Sequence, residues 1–236
     1  MENWLYVLIN LGSVSIPFLA GFDSRLKFYR QWKYLFPAML MTMLVFIPWD
    51  MLKTSLEVWG FNPRYLLGYY IGNLPLEEWM FFIAIPFACL FTYHSLNYLV
   101  RKDFIGRYAE RITLFLAILL LVFGLMNTGR LYTSVTFIST GAFLLFHRFV
   151  VKGEYMGRFY LMYLVTLIPF FIVNGLLTGS FIPEEVVYYD DTQNLGIRLG
   201  TIPVEDMVYG LLMLLMNVTW FEFFRNKFEP KNGTGS

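Results

Sequence analysis

Leu67-Gly68-Tyr69-Tyr70-Ile71-Gly72-Asn73-Leu74-Pro75-Leu76-Glu77-Glu78 returns later in the chain as Leu195-Gly196-Ile197-Arg198-Leu199-Gly200-Thr201-Ile202-Pro203-Val204-Glu205-Asp206. The shared pattern is L-G-x-x-[IL]-G-x-[LI]-P-[LV]-E-[ED], and each copy opens onto a long apolar run. Upstream, Phe46-Ile47-Pro48-Trp49-Asp50 aligns with Phe170-Phe171-Ile172-Val173-Asn174, which sets Asp50 opposite Asn174. A period this long marks an architecture built from a repeated unit.

Working outward, seven apolar segments can be read: Trp4–Gly21, Tyr34–Leu52, Pro75–Val100, Ile112–Asn127, Leu131–Phe149, Tyr160–Leu177 and Pro203–Phe224. Runs of about 18 or more apolar residues read as bilayer spans. Backbone groups find no water in hydrocarbon, so the spans are expected to be helices. Pro17, Pro37, Pro48, Pro86 and Pro169 fall in or at the ends of them and can kink them. The first three helices match the fifth to seventh, with the fourth as a linker. The fold class predicted is an all-α membrane protein of seven transmembrane helices in a 3+1+3 parallel internal repeat. The expected units are 1–100, the first three-helix repeat; 101–128, the linker helix; 129–228, the second repeat; and 229–236, a disordered tail without assigned function.

Lys and Arg set the orientation. Arg25, Lys27, Arg30 and Lys33 share one connection, Arg101, Lys102, Arg107 and Arg111 another, and Arg148, Lys152 and Arg158 a third; Arg225, Lys227 and Lys231 follow the last span. The alternate connections hold only Lys53, Arg64, Arg130 and Arg198. The positive-inside rule then puts the N-terminus outside and the C-terminus inside a cell membrane crossed many times. The first apolar run lacks the basic start and small-residue cleavage pattern of a signal peptide, so none is expected.

Composition agrees. Charged residues make up 15% of the 236, against about 25% in ordinary soluble domains, and the mean hydropathy is +0.54. A net charge of +1 points to no nucleic-acid partner. Cys89 is the single cysteine, and His94 and His147 stand in different halves. No metal is expected, and the two histidines read as snorkelling interfacial residues.

The carboxylates carry the chemistry. Glu77, Glu78, Glu205 and Asp206 follow prolines read at the first helical position. Helix dipoles favour acids there, but one acid per helix would serve as a cap. A packing repeat would duplicate apolar positions, not a pair of adjacent carboxylates. Adjacent residues lie about 100° apart on a helix, so at most one of each pair points straight inward. Cys89 and Thr92 share the face of Glu78, and Asn217 and Trp220 that of Asp206, which turns Glu78 and Asp206 inward. Tyr209, four residues after Glu205, argues the other way, so all four stay candidates, with Asp50 at the same depth. Acids inside spans usually face the bundle interior and are functional. A neutral carboxylic acid in a dry site can give up a proton. Trp4, Trp32, Trp49, Trp59 and Trp79 near span ends read first as an interfacial belt. Trp49 and Trp79 also adjoin acids, and aromatic faces stabilise cations, so they join Asn174 and Tyr209 as candidate cation-stabilising or substrate-contacting residues.

The doubled P-[LV]-E-[ED] motif, Pro48-Trp49-Asp50 with its counterpart Asn174, and Ser15-Ile16-Pro17-Phe18 ahead of Phe28-Tyr29-Arg30 resemble the integral-membrane, non-flavin lycopene cyclase family. The resemblance runs from Met1 to about Phe228 and suggests the fused, single-chain form. It implies carotenoid biosynthesis by an intramolecular lyase or isomerase: redox-neutral cyclisation of lycopene ψ-ends to β-rings, giving γ- and β-carotene through a carbocation. Under that resemblance Glu77, Glu78, Glu205 and Asp206 match the motif acids, and Asp50 and Asn174 the other polar intramembrane positions. Which acid protonates and which group takes the proton back is not decided by spacing. No G-x-G-x-x-G follows a strand, so no cofactor is expected. The implied partners are lycopene or a related acyclic carotenoid and the lipid bilayer, with room for contact with other carotenoid enzymes.

Two rivals share parts of this pattern. A retinal protein needs a lysine in the last span, and Pro203–Phe224 has none. A 3+1+3 small-solute transporter needs a polar path, whereas the polar groups gather in the outer half, with little beyond His94, Asn97 and His147 further in.

Overall fold

Apolar sequence with no outside partner for its backbone folds into helices, and the computed structural model, which describes residues 2–229, contains seven long and apolar enough to cross a membrane. They are α1 (Leu5–Ala20), α2 (Trp32–Ser55), α3 (Leu76–Leu99), α4 (Gly106–Met126), α5 (Leu131–Phe146), α6 (Met156–Leu177) and α7 (Val204–Phe228). At 1.5 Å per residue the 24 residues of α2 span about 36 Å, enough for a hydrocarbon core of about 30 Å. A wider π turn, His147–Val151, continues α5. Pro17, Pro37, Pro48, Pro86 and Pro169 all lie inside helices. The polar tail Asn232–Ser236 lies outside the described residues.

Boundaries moved outward where polar residues begin a helix. α4 starts at Gly106, because the turns carrying Arg107, Glu110 and Arg111 are helical although too polar to be read as span. Pro75 and Pro203 are also not the first helical residues: with ψ of 151° and 138° they are extended, and their helices begin at Leu76 and Val204.

The connections contain six short strands that periodicity did not announce: β1 (Trp59–Phe61), β2 (Tyr70–Ile71), β3 (Leu74–Pro75), β4 (Val187–Tyr189), β5 (Arg198–Leu199) and β6 (Ile202–Pro203). β2 with β3 and β5 with β6 form hairpins built by the two motif copies. Gly72 (φ 66°) and Gly200 (φ 67°) open their two-residue turns, a left-handed position that glycine takes without steric cost. β1 pairs antiparallel with β4, setting Trp59 opposite Tyr189. The α2–α3 and α6–α7 connections thus close over one end of the bundle. At the same end Arg64 pairs with Glu2 at 2.7 Å, and the Tyr132 amide donates to the Gln193 carbonyl at 2.8 Å. The basic connections meet at the other end, where the Arg158 guanidinium donates to the carbonyls of Val100 and Arg101.

α2 packs on α7, α1 on α3, and α4 on α5. The main core is aromatic and aliphatic, with Phe46, Phe82, Phe159 and Phe221 buried. Large apolar residues such as Ile16, Ile168 and Met126 are 75%, 69% and 76% exposed, which suits a lipid-facing surface rather than water. One cation departs from the surface reading: Lys53 is buried, and its Nζ donates to the Leu131 carbonyl at 3.1 Å.

Candidate active site

Both motif acids of each copy are buried, including the pair expected to divide between core and surface: Glu77, Glu78, Glu205 and Asp206 are 0%, 8%, 0% and 6% exposed. They part company in what they touch. Glu77 Oε1 accepts from the Leu67 amide at 2.6 Å, and Glu205 Oε1 from the Leu195 amide at 2.8 Å and the Thr133 hydroxyl at 2.6 Å. Each ties the start of its motif to the helix that ends it. Neither is among the residues that line the two cavities beside Glu78 and Asp206.

Glu78 and Asp206 face the space beneath the β1–β4 roof, one from α3 and the other from α7. A phenol comes to each from the second residue of another helix: Tyr6 OH donates to Glu78 Oε2 at 2.5 Å, and Tyr132 OH to Asp206 Oδ1 at 2.6 Å. Asp206 Oδ2 also accepts from Asn174 Nδ2 at 2.7 Å and Tyr189 OH at 2.9 Å. Asp50 lies buried near the end of α2, accepting from Trp59 Nε1 at 2.8 Å through Oδ1. Its Oδ2 is buried without a hydrogen-bond partner among the described residues. Tyr189, on β4 outside the spans, is pushed well above the ordinary phenol range by burial and then by the Asp206 carboxylate, so it stays a donor.

Two cavities meet at this group. The smaller, about 60 Å³, is lined by Asp50, Glu78, Tyr6, Trp59, Asn174 and Tyr209. The larger, about 180 Å³, runs from Asp206, Asn174 and Tyr209 toward Cys89, Tyr163 and Met213 between α1, α3, α6 and α7. Phe81, Asn174 and Tyr209 line both. The larger wall is almost wholly apolar, with Asn174 and Asp206 where it meets the smaller cavity and Ser13, Tyr163 and Thr166 along the rest. Aromatic faces surround that meeting point: Trp59 meets Tyr132 edge-on at 5.1 Å, and Tyr132 stacks on Tyr189 at 5.8 Å. Such faces attract cations when water is excluded.

Several expectations change. Trp59 is no interfacial anchor; it is 6% exposed and bonded to Asp50, because the β1–β4 pairing folds it inward. Trp79 turns away from the cavities, its Nε1 donating to the Ile71 carbonyl at 3.3 Å. Trp49 packs on Phe46 and Tyr209 rather than on either cavity. His147 is 1% exposed and bonded to the Tyr155 hydroxyl at 2.9 Å, so it does not snorkel. The inner half is also less bare than its sequence suggested: Glu222 is buried, accepting from Tyr93 at 2.8 Å and Arg225 at 2.6 Å. Among the described residues, no group of three or more His, Cys, Asp and Glu side chains is arranged to hold a metal ion.

Tyr6, Tyr132, Trp59 and Tyr189 were missed from sequence. Leu5-Tyr6 and Leu131-Tyr132 each open a helix, and that repeated Leu-Tyr pair is the signal that could have found two of them.

The site thus sets buried carboxyls beside an apolar cavity, inside a helical membrane protein whose seven helices are long and apolar enough to cross the bilayer. The family model described as lycopene cyclase matches the chain twice, over residues 3–96 and 129–224. The chain belongs to the lycopene cyclase family and carries two copies of its domain, and that membership gives it a carotenoid-cyclase role with a carotenoid substrate. No curated protein and no solved structure matches it.

Proposed function

We propose that this chain converts lycopene ψ-ends to β-rings by acid–base catalysis, giving γ- and then β-carotene. A proton adds to the terminal double bond of the ψ-end. The tertiary cation so formed is attacked by the neighbouring alkene, closing a six-membered ring. A proton then leaves the adjacent ring carbon, forming the new double bond. One proton enters and one leaves, so the product is an isomer and no electron acceptor is needed.

The observation that carries this reading is the unequal hydrogen bonding of the three carboxyls that line the two adjoining cavities. Three donors converge on Asp206, which suits an acceptor-only carboxylate. Asp50 and Glu78 each accept a single side-chain hydrogen bond, which leaves oxygen sites free for a proton. We assign the Asp50–Glu78 pair as the acid and Asp206 as the base and counter-charge, with Tyr132, Tyr189 and Asn174 positioning it. Trp59, Tyr132 and Tyr209 supply the aromatic faces for the cation. Glu77 and Glu205 position the hairpins and touch no substrate.

The same reading takes the chain as a 3+1+3 parallel repeat, with units 1–100, 101–128 and 129–228, the N-terminus outside and the C-terminus inside the cell membrane. The support is the doubled motif, the equivalent Leu67–Glu77 and Leu195–Glu205 bonds, and basic connections gathered at one end. A transporter finds less support, since the wall of the larger cavity is almost wholly apolar.

The test is expression in a lycopene-accumulating bacterium, with pigments separated by chromatography and weighed by mass spectrometry. Products of lycopene's mass that elute as γ- or β-carotene are expected. Unchanged lycopene with the protein present in the membrane would contradict the assignment.

A further inference from the structure

Aligning Glu78 with Asp206 and Asp50 with Asn174 lets the two halves be compared place by place. The larger cavity lies between α1 and α3 of the first half and α6 and α7 of the second, where α6 presents Val173 and α7 presents Gly210. A β-carbon at Gly210 would meet nothing within 4 Å, so the missing side chain is itself part of the open space. In the first half the aligned positions are Trp49 on α2 and Phe82 on α3. There the space is filled. Phe46 is fully buried and lies 5.4 Å from Trp49, 6.3 Å from Phe82 and 5.1 Å from Tyr209, ring centre to ring centre. Trp49 meets Tyr209 edge-on at 5.7 Å. Four rings therefore close the place where the duplication would leave a second chamber.

We propose that Val173 and Gly210 open a single polyene chamber, that Trp49 and Phe82 shut its counterpart, and that each chain therefore holds one carotenoid end at a time. The inference rests on the cyclase reading for the identity of the occupant. Its consequence is sequential chemistry: the monocyclic product must leave and re-enter end-for-end before a second ring forms. Early in a reaction with excess lycopene, γ-carotene should exceed β-carotene at least tenfold, which two chambers acting on one molecule would not give. Val173 and Gly210 are specificity-determining positions, chosen for volume and not for chemistry.

The experiment uses the full chain purified in detergent and loaded with lycopene, with bound pigment read by absorbance and rings by chromatography. Wild type is expected to hold one lycopene per chain. Gly210→Leu should keep the wild-type melting temperature, because its side chain enters empty space, and lose bound lycopene and ring formation together, at least tenfold. Val173→Trp, which installs the residue already accommodated in the other half, should do the same and decides the matter if Gly210→Leu does not fold. Normal binding in either folded variant, or two lycopenes per wild-type chain, overturns the single chamber. Wild type that binds one lycopene, loses it in the variants, yet forms no ring leaves the chamber standing and removes the cyclase reading.

Discussion

The Tyr6 phenol donates to Glu78 across two helices, 72 residues apart in sequence and 2.5 Å apart in space. Tyr132 and Asp206 repeat the relationship at 2.6 Å. The two pairs differ in what surrounds them. Asp206 gains Asn174 and Tyr189 as further donors, while Asp50 stands at the aligned position of Asn174 and shares the smaller cavity with Glu78. A donor in one half is thus a carboxyl group in the other. Under the proposed mechanism, that exchange turns a duplicated pair into an acid side and a base side.

Removing the acid should cost most. Asp50→Asn and Glu78→Gln are each expected to lower turnover by about 10²–10⁴-fold, the usual contribution of a positioned general acid, with membrane insertion unchanged. Ring formation per unit of inserted protein is the measurement, and wild-type rates in both variants and in their combination would refute the assignment.

Glu77 and Glu205 should behave differently. Each receives a loop amide, a bond that glutamine can still accept. Glu77→Gln and Glu205→Gln are expected to retain activity within a few-fold. Alanine at either site strands a buried amide, at about 1–3 kcal/mol, and should reduce folded protein while leaving the rate per folded molecule nearly intact. Thermal unfolding alongside turnover separates these effects.

Tyr132→Phe and Tyr189→Phe each remove one donor from Asp206. A hydrogen bond to a charged group contributes about 1.5–3 kcal/mol, and about 1.4 kcal/mol is tenfold in rate. Each variant should lose about 10- to 100-fold in ring formation. Losses confined to expression level would mean that these phenols only hold the roof in place.

The hairpin turns give a stability prediction. Gly72→Val and Gly200→Val put a β-branched residue at φ near +66°, costing about 1–2 kcal/mol each. Both should lower the melting temperature, with less effect from alanine. Unchanged melting would show that the turns relax at no cost.

Much of this was legible in sequence because membrane and duplication both leave strong marks. Apolar runs and alternating Lys and Arg announce seven helices, and the doubled motif announces the four acids with Asp50 and Asn174. The strands were invisible: two or three residues show no period, and β1 finds β4 well over a hundred residues away. Tyr6, Tyr132 and Trp59 were hidden because an aromatic near the end of a span looks like an interfacial anchor until its partner is located. The face shared with Cys89 and Thr92 favoured Glu78 without deciding it, and what each acid touches separates it from Glu77, since their neighbours come from α1 and from the loop before β2.

The most direct test of the acid–base account is to run the reaction in D₂O and weigh the products. The acid exchanges with solvent before it protonates the ψ-end, so each ring should carry one deuterium and γ-carotene should be one mass unit heavier than the same product made in H₂O. Cyclic product of unchanged mass would mean that the entering proton does not come from an exchangeable acid, and the roles given to Asp50 and Glu78 would be wrong.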